Sequence, residues 1–156
     1  MNVSGEPAIY EIRSKFRAPL PFVFRWCTDY TPSDPKLEKE EYARRILQKS
    51  GRTVVYEDLT DTPEGGWMWS HMVVTLRPPH RWHADASGSH RTWSLDYELT
   101  TLPDGGTELH LRGERRPTPL GAKNPPKARL ERELRGMWSN FGRALERDYR
   151  ASRARD

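Results

Sequence analysis

Between residues 8 and 18 apolar and polar positions alternate. Tyr10, Ile12, Ser14 and Phe16 fall on one side and Glu11, Arg13, Lys15 and Arg17 on the other, the period of a half-buried strand. Pro19 and Pro21 stop it. Pro21 suits the first turn of a short helix carrying Phe22, Val23 and Trp26, which ends in the turn-prone run Thr28-Asp29-Tyr30-Thr31-Pro32. A second short helix is expected from Asp34. Strands follow at residues 43–49 and 52–59, joined through Ser50-Gly51 as an antiparallel hairpin. Residues 67–76 are apolar on both sides, which predicts a strand more buried than its neighbours, ended by Pro78-Pro79. Strands at 81–87 and 91–101 come next. The second sets Trp93, Leu95, Tyr97 and Leu99 against Thr92, Ser94, Asp96 and Glu98, so one face meets the core and the other water. Pro103-Asp104-Gly105-Gly106 turns the chain into a last strand at 107–115, with Leu109 and Leu111 inward.

From residue 125 to 153 the period becomes helical. Leu130, Leu134, Met137, Trp138, Phe141, Leu145 and Tyr149 form one stripe, and Arg129, Arg132, Arg143, Arg147 and Arg150 lie opposite. The apolar stripe needs a surface to cover it, and the preceding strands supply one. The expected architecture is α+β: a curved antiparallel sheet of about seven strands wrapped around a long C-terminal helix, with two short helices after the first strand. Residues 8–153 are expected to form a single ligand-binding domain, preceded by a flexible N-terminus at 1–7. A gap between sheet and helix suits an apolar ligand.

Composition narrows this picture. Six Trp, six Tyr and four Phe imply a globular chain with an aromatic core rather than a disordered one. The net charge of +4 comes from an excess that is mostly Arg, mixed with 22 acids along the whole length, which argues against a dedicated nucleic-acid surface. One cysteine, Cys27, excludes an internal disulfide and any multi-cysteine zinc site, so a cytoplasmic setting is expected. No apolar run reaches transmembrane length, and residues 1–7 lack the regions of a signal peptide.

The order of elements resembles the helix-grip fold of the START, polyketide-cyclase and Bet v 1-like superfamily (SRPBCC). Two local features carry the resemblance. Phe16-Arg17-Ala18-Pro19-Leu20-Pro21-Phe22-Val23-Phe24, followed by Asp29, is similar to that family's first strand ending at Ala-Pro before a short helix. Pro103-Asp104-Gly105-Gly106-Thr107-Glu108-Leu109 is similar to its hairpin between the last two strands. The resemblance implies an internal cavity for a hydrophobic or aromatic small molecule. It implies no single chemistry, because members include carriers, sensors and cyclases.

Trp67, Trp69 and His71 stand two apart on one strand and therefore share a face. If that face lines the cavity, they form an aromatic wall with one polar group, and His71 is the candidate acid/base. The alternate face carries Met68, Ser70, Met72, Val74 and Leu76, and a register one residue away would place those inside instead. Trp82, Trp93 and Tyr97, with Ala84, extend the wall, and Met137, Trp138 and Phe141 close it; Tyr10 and Ser14 add hydroxyls. Each of these residues serves equally well as plain core filling. His80 and His83, with Asp85 and His90 nearby, invite a metal, but their spacing points them to opposite faces, so no metal and no cofactor is assigned. Cys27 has no His or Asp partner in sequence and reads as a small buried hydrophobe. On the final helix, Arg129 with Glu133, Glu131 with Arg135, and Glu146 with Arg150 stand four apart as ion pairs.

Three functions remain open at this point. One is binding of a hydrophobic or aromatic small molecule, as carrier or sensor, through Trp67, Trp69, His71, Trp82, Trp93, Tyr97, Met137 and Phe141. Another is a cyclase/aromatase-like enzyme with His71 assisted by Tyr97 or Tyr10. The third is a protein-interaction module resembling chaperone cofactors. The expected partner is a small molecule, with no specific nucleic acid and no membrane insertion, on a monomer or homodimer.

Overall fold

The computed structural model describes residues 5–35, 42–62 and 65–156. Its elements run β1 (Ala8–Phe16), α1 (Leu20–Thr28), β2 (Tyr42–Ser50), β3 (Thr53–Asp61), β4 (Trp67–Arg77), β5 (Arg81–Gly88), β6 (Arg91–Thr101), β7 (Thr107–Pro117) and α2 (Lys127–Arg153). The seven strands form one curved antiparallel sheet in the order β1-β7-β6-β5-β4-β3-β2, with α2 across its inner face. The second short helix expected from Asp34 runs into residues 36–41, outside the described residues. Of the N-terminal segment 1–7, residues 1–4 lie outside them as well. The Glu6 carbonyl accepts a hydrogen bond from Asn124 Nδ2 at 3.0 Å, which ties this segment to the loop before α2.

Proline chemistry sets the start of α2. Pro126 is extended (ψ 144°) and caps the helix through its carbonyl, which accepts from the N–H groups of Arg129 and Leu130 at 3.0 Å. The helix therefore begins two residues later than the periodicity predicts. Leu130, Trp138 and Leu145 of its stripe are buried, and Gly142 lets the helix approach β1 so closely that a Cβ there would lie 3.2 Å from the Phe16 ring. On the opposite side Arg129 pairs with Glu133 at 3.0 Å. Glu131 turns instead to the sheet edge, where its Oε2 accepts from the Glu11 N–H at 2.8 Å and so covers part of the β1 edge.

The two segments that carry the family resemblance meet in space. Phe16 is paired with Thr107, and the buried Thr107 hydroxyl donates to the Ala18 carbonyl at 2.8 Å, clamping the end of β1 to the β6–β7 turn. Asp104 Oδ1 accepts from the Gly106 N–H at 2.8 Å, and Gly105 supplies the positive φ (88°) that the turn requires.

Strand β4 corrects an expectation. Met72 and Val74 are buried, whereas Trp67, Trp69 and Val73 are among the most exposed large apolar residues, so β4 is not more buried than its neighbours. Its register is imposed from both sides. Met72 lies opposite Tyr56 and Ala86, and Val74 opposite Val54 and Ala84, all of them buried on the inner face. Directly opposed residues share a face, so Trp67, Trp69 and His71 are forced outward.

Candidate functional site: a cavity between sheet and helix

A cavity of about 890 Å³ lies between the inner face of the sheet and α2. Its aromatic wall is built by alternation on β6 and β5 and by the stripe of α2. Tyr97 stacks on Trp82 with ring centres 4.6 Å apart and planes 8° from parallel. Trp138 sets its edge to Tyr97 at 6.1 Å, and Phe141 packs on Trp138 at 5.2 Å. Trp26 of α1 closes the row against Phe141 at 6.3 Å and donates from its indole N–H to Asp148 at 2.9 Å, joining the two helices. Leu130, Leu134 and Met137 complete the helical side, and Met68, Ser70 and Met72 line the β4 side.

The cavity also carries hydroxyls and charges. Tyr10, Tyr30, Tyr56 and Tyr97 all border it, and burial raises the pKa of each, so they enter any chemistry as neutral donors. Burial likewise raises the Cys27 thiol, which leaves it a poor nucleophile. On the β2 side Arg44 is nearly enclosed, its side chain 6% exposed. Asp58 meets it with two bonds of 2.8 and 2.9 Å, Asp34 with one of 2.9 Å, and its guanidinium lies 4.2 Å from the Tyr56 ring centre. Burial alone would depress its pKa, but the bonds to Asp58 outweigh it and keep the group charged.

Five strands away, Arg115 enters the cavity from β7 opposite Trp93, with Arg91, Tyr10, His90 and Glu133 also on the lining. Burial and the like charge of Arg91 push the Arg115 pKa down to about 10, and Tyr10 and Glu133 only partly offset this.

The sequence candidates divide accordingly. Trp82, Trp93, Tyr97, Met137 and Phe141 line the cavity, as does Tyr10; Ser14 is absent from the lining. Trp67 is 64% exposed on the outer face, and Trp69, 49% exposed, belongs to the same outer row and only borders the cavity. His71 also faces outward, its Nδ1 3.4 Å from Glu57 Oε1, so it does not sit among the cavity groups. The histidine that borders the cavity is His90, held by Ser89 Oγ at 2.8 Å in the β5–β6 turn. Sequence reasoning missed Arg44, Arg115, Trp26, Tyr30 and Tyr56. The one available signal was alternation, which puts Tyr56 with Val54, and Arg115 with Leu109 and Leu111, on the inner rows.

No family model matches this chain, and no curated protein matches its sequence. Its fold is shared with solved structures. The Zhui aromatase/cyclase from Streptomyces sp. R1128 is similar with a TM-score of 0.70 and 14% identity, covering 93% of this chain and 94% of that one. Ara h 8.0201 is similar with a TM-score of 0.65 and 14% identity, over 90% and 98% of the two chains. A START superfamily protein from Mycobacterium smegmatis gives 0.60 and 12%, over 92% and 97%. The chain has the helix-grip fold. At these identities the likeness is one of architecture, and the cavity chemistry of this helix-grip protein rests on its own residues.

Outside the cavity, His83 is held by two carboxylates, with Nδ1 2.7 Å from Asp96 and Nε2 3.0 Å from Asp85. Among the described residues no group of three or more His, Cys, Asp or Glu is placed to hold a metal ion. Burial would lower the His83 pKa, but the bonds to Asp96 and Asp85 outweigh it and raise it above its ordinary 6.5. A raised folded-state pKa means that folding favours the protonated ring. The pair's contribution is therefore whole below pH 6.5 and is lost as pH rises through the raised value. Urea denaturation across the neutral range should show Asp96→Asn less sensitive to pH than the parent; equal slopes would refute the coupling. Among the described residues no helix is long and apolar enough to cross a membrane.

Proposed function

We propose that this chain binds a hydrophobic or aromatic small molecule between its sheet and α2, as a carrier or sensor. The observation that carries this is the cavity of about 890 Å³, walled by Trp82, Trp93, Tyr97, Trp138 and Phe141. That volume falls in the usual range for small-molecule sites, and the apolar wall with a few placed polar groups is their usual chemistry. The similar aromatase/cyclase and START superfamily structures support a ligand-holding role for this architecture. A catalytic role through His71 is poorly supported, because that ring lies on the outer face beside Glu57.

Pyrene, an apolar fluorophore, tests the proposal. At a hundredfold excess over its Kd a ligand specific for the folded state adds about 2.7 kcal/mol, which for a chain of this size raises Tm by roughly 5 to 10 °C. Pyrene should also quench tryptophan emission. Met137→Trp, which fills the gap from the helix side, should keep the fold and weaken binding at least tenfold, whereas His71→Phe should leave it unchanged. Absence of binding to the parent, or equal binding to the Met137 variant, would overturn the proposal.

A further inference from the structure

Three tyrosines that line the cavity form a connected group. Tyr30 stacks on Tyr56 with ring centres 5.2 Å apart, and the Arg44 guanidinium, 4.2 Å from the Tyr56 ring centre, fixes that ring further. Trp82 Nε1 approaches the Tyr30 hydroxyl without closing a hydrogen bond. Trp82 in turn stacks on Tyr97 at 4.6 Å, so one indole joins Tyr97 to the pair of Tyr30 and Tyr56. All three rings border the space under α2.

Their hydroxyls are available to a ligand. Among the described residues none of the three closes a hydrogen bond within the protein, and none of their oxygens is sealed off as Trp82 Nε1 is, so each opens on the cavity. Burial raises the pKa of all three, and each oxygen therefore keeps its proton at neutral pH. The charges beside them are already matched. Arg44 takes three bonds from Asp58 and Asp34, and both acids reach the tyrosines, Asp34 acting on Tyr30 and Asp58 on Tyr56. A ligand anion here would face two carboxylates whose arginine is engaged. A neutral oxygen acceptor meets hydroxyl donors and brings no charge into the apolar space.

We propose that Tyr30, Tyr56 and Tyr97 form a hydroxyl subsite that receives the carbonyl oxygen of an uncharged ring ligand, while the aromatic wall of α2 holds its apolar body. This rests on the cavity-binding function proposed above and names its ligand class: an uncharged aromatic or polycyclic ketone. A carbonyl oxygen has two lone pairs and can accept from two hydroxyls at once. A hydrocarbon of the same shape strips water from those hydroxyls and returns nothing, which is how a polar site rejects an analogue that lacks the polar group.

The test compares three probes by calorimetry at neutral pH: 9-fluorenone, fluorene, which has the same rings without the oxygen, and fluorene-9-carboxylate, which carries a charge instead. The parent protein should bind fluorenone about tenfold more tightly than either of the others. Infrared spectra should place the bound carbonyl stretch below its value in an alkane solvent, the mark of an accepted hydrogen bond. Combining Tyr30→Phe, Tyr56→Phe and Tyr97→Phe keeps the rings and removes the hydroxyls. This variant should bring fluorenone down to fluorene, return the stretch to its alkane value and leave fluorene binding unchanged. Should it fail to fold, the single variants take its place, and at least two of them should weaken fluorenone about threefold or more without affecting fluorene. Equal binding of fluorenone and fluorene by the parent, or tighter binding of the carboxylate, overturns the subsite and leaves cavity binding standing. Binding of none of the three overturns both, and a fluorenone preference that survives in the phenylalanine variants overturns the assignment to these tyrosines.

Discussion

A chain ending at Pro126 is expected to lose cooperative folding altogether. Helix α2 covers the inner face of the sheet, and without it Phe16, Tyr97, Trp82 and the apolar rows beside them would meet water. Burying Leu130, Trp138 and Leu145 contributes about 1.5 to 3 kcal/mol for each side chain, and the half-buried Leu134, Met137, Phe141 and Tyr149 add to that. The sum is comparable with the roughly 5 to 15 kcal/mol by which domains are stable, so little or nothing remains to hold the sheet closed. Thermal melting followed by circular dichroism should show no sharp transition, with binding of a hydrophobic dye even at low temperature. A truncated chain that melts cooperatively would mean that the sheet finds its core without the helix.

Asp58→Ala should be the most damaging single substitution on the β2 side of the cavity. Asp58 makes two of the three carboxylate bonds to Arg44, whose side chain is only 6% exposed. Removing one partner of a buried pair leaves a charge in a poorly solvated place, at a cost of about 3 to 5 kcal/mol. Asp34 remains and Asp58 is itself a fifth exposed, which places the expected loss near the lower figure, about 3 kcal/mol, or a fall in Tm of roughly 6 to 12 °C. Replacing both groups, as Arg44→Met with Asp58→Leu, should recover most of it, because the cost lies in the unpaired charge rather than in the missing pair. Urea denaturation would check both variants, and an Asp58→Ala protein within 1 kcal/mol of the parent would show that water reaches Arg44 freely, since surface pairs contribute about that much or less.

The architecture was legible wherever one period was clean. On β6 the alternation of Trp93, Leu95, Tyr97 and Leu99 with polar residues assigned the inner face correctly, and the stripe of α2 placed Met137, Trp138 and Phe141 on the cavity side. Strand β4 offered no such signal, because both of its rows are apolar and either can face inward. The clean pattern lay one hairpin away. Trp82, Ala84 and Ala86 of β5 alternate with Arg81, His83 and Asp85, and carrying that row back through the turn at Pro78-Pro79 puts Leu76, Val74 and Met72 inside and His71 outside. Reading β4 alone, without its partner, is what brought Trp67, Trp69 and His71 into the expected site.

What the sequence by itself determined, among the described residues, is the seven strands and the two helices, their order and which face of most of them is apolar. These follow from local periodicity and from prolines and glycines, which act through the backbone of the residues that carry them. Only the tertiary structure decided the β4 register, the enclosure of Arg44 by Asp34 and Asp58, and the isolation of Arg115. Each of these depends on contacts between strands or on which side of the sheet a charge finds its partner. Arg44 and Arg115 are the same residue type on two strands of one sheet. One is neutralised and the other is not, because the fold carries two carboxylates to the first and a second arginine to the other.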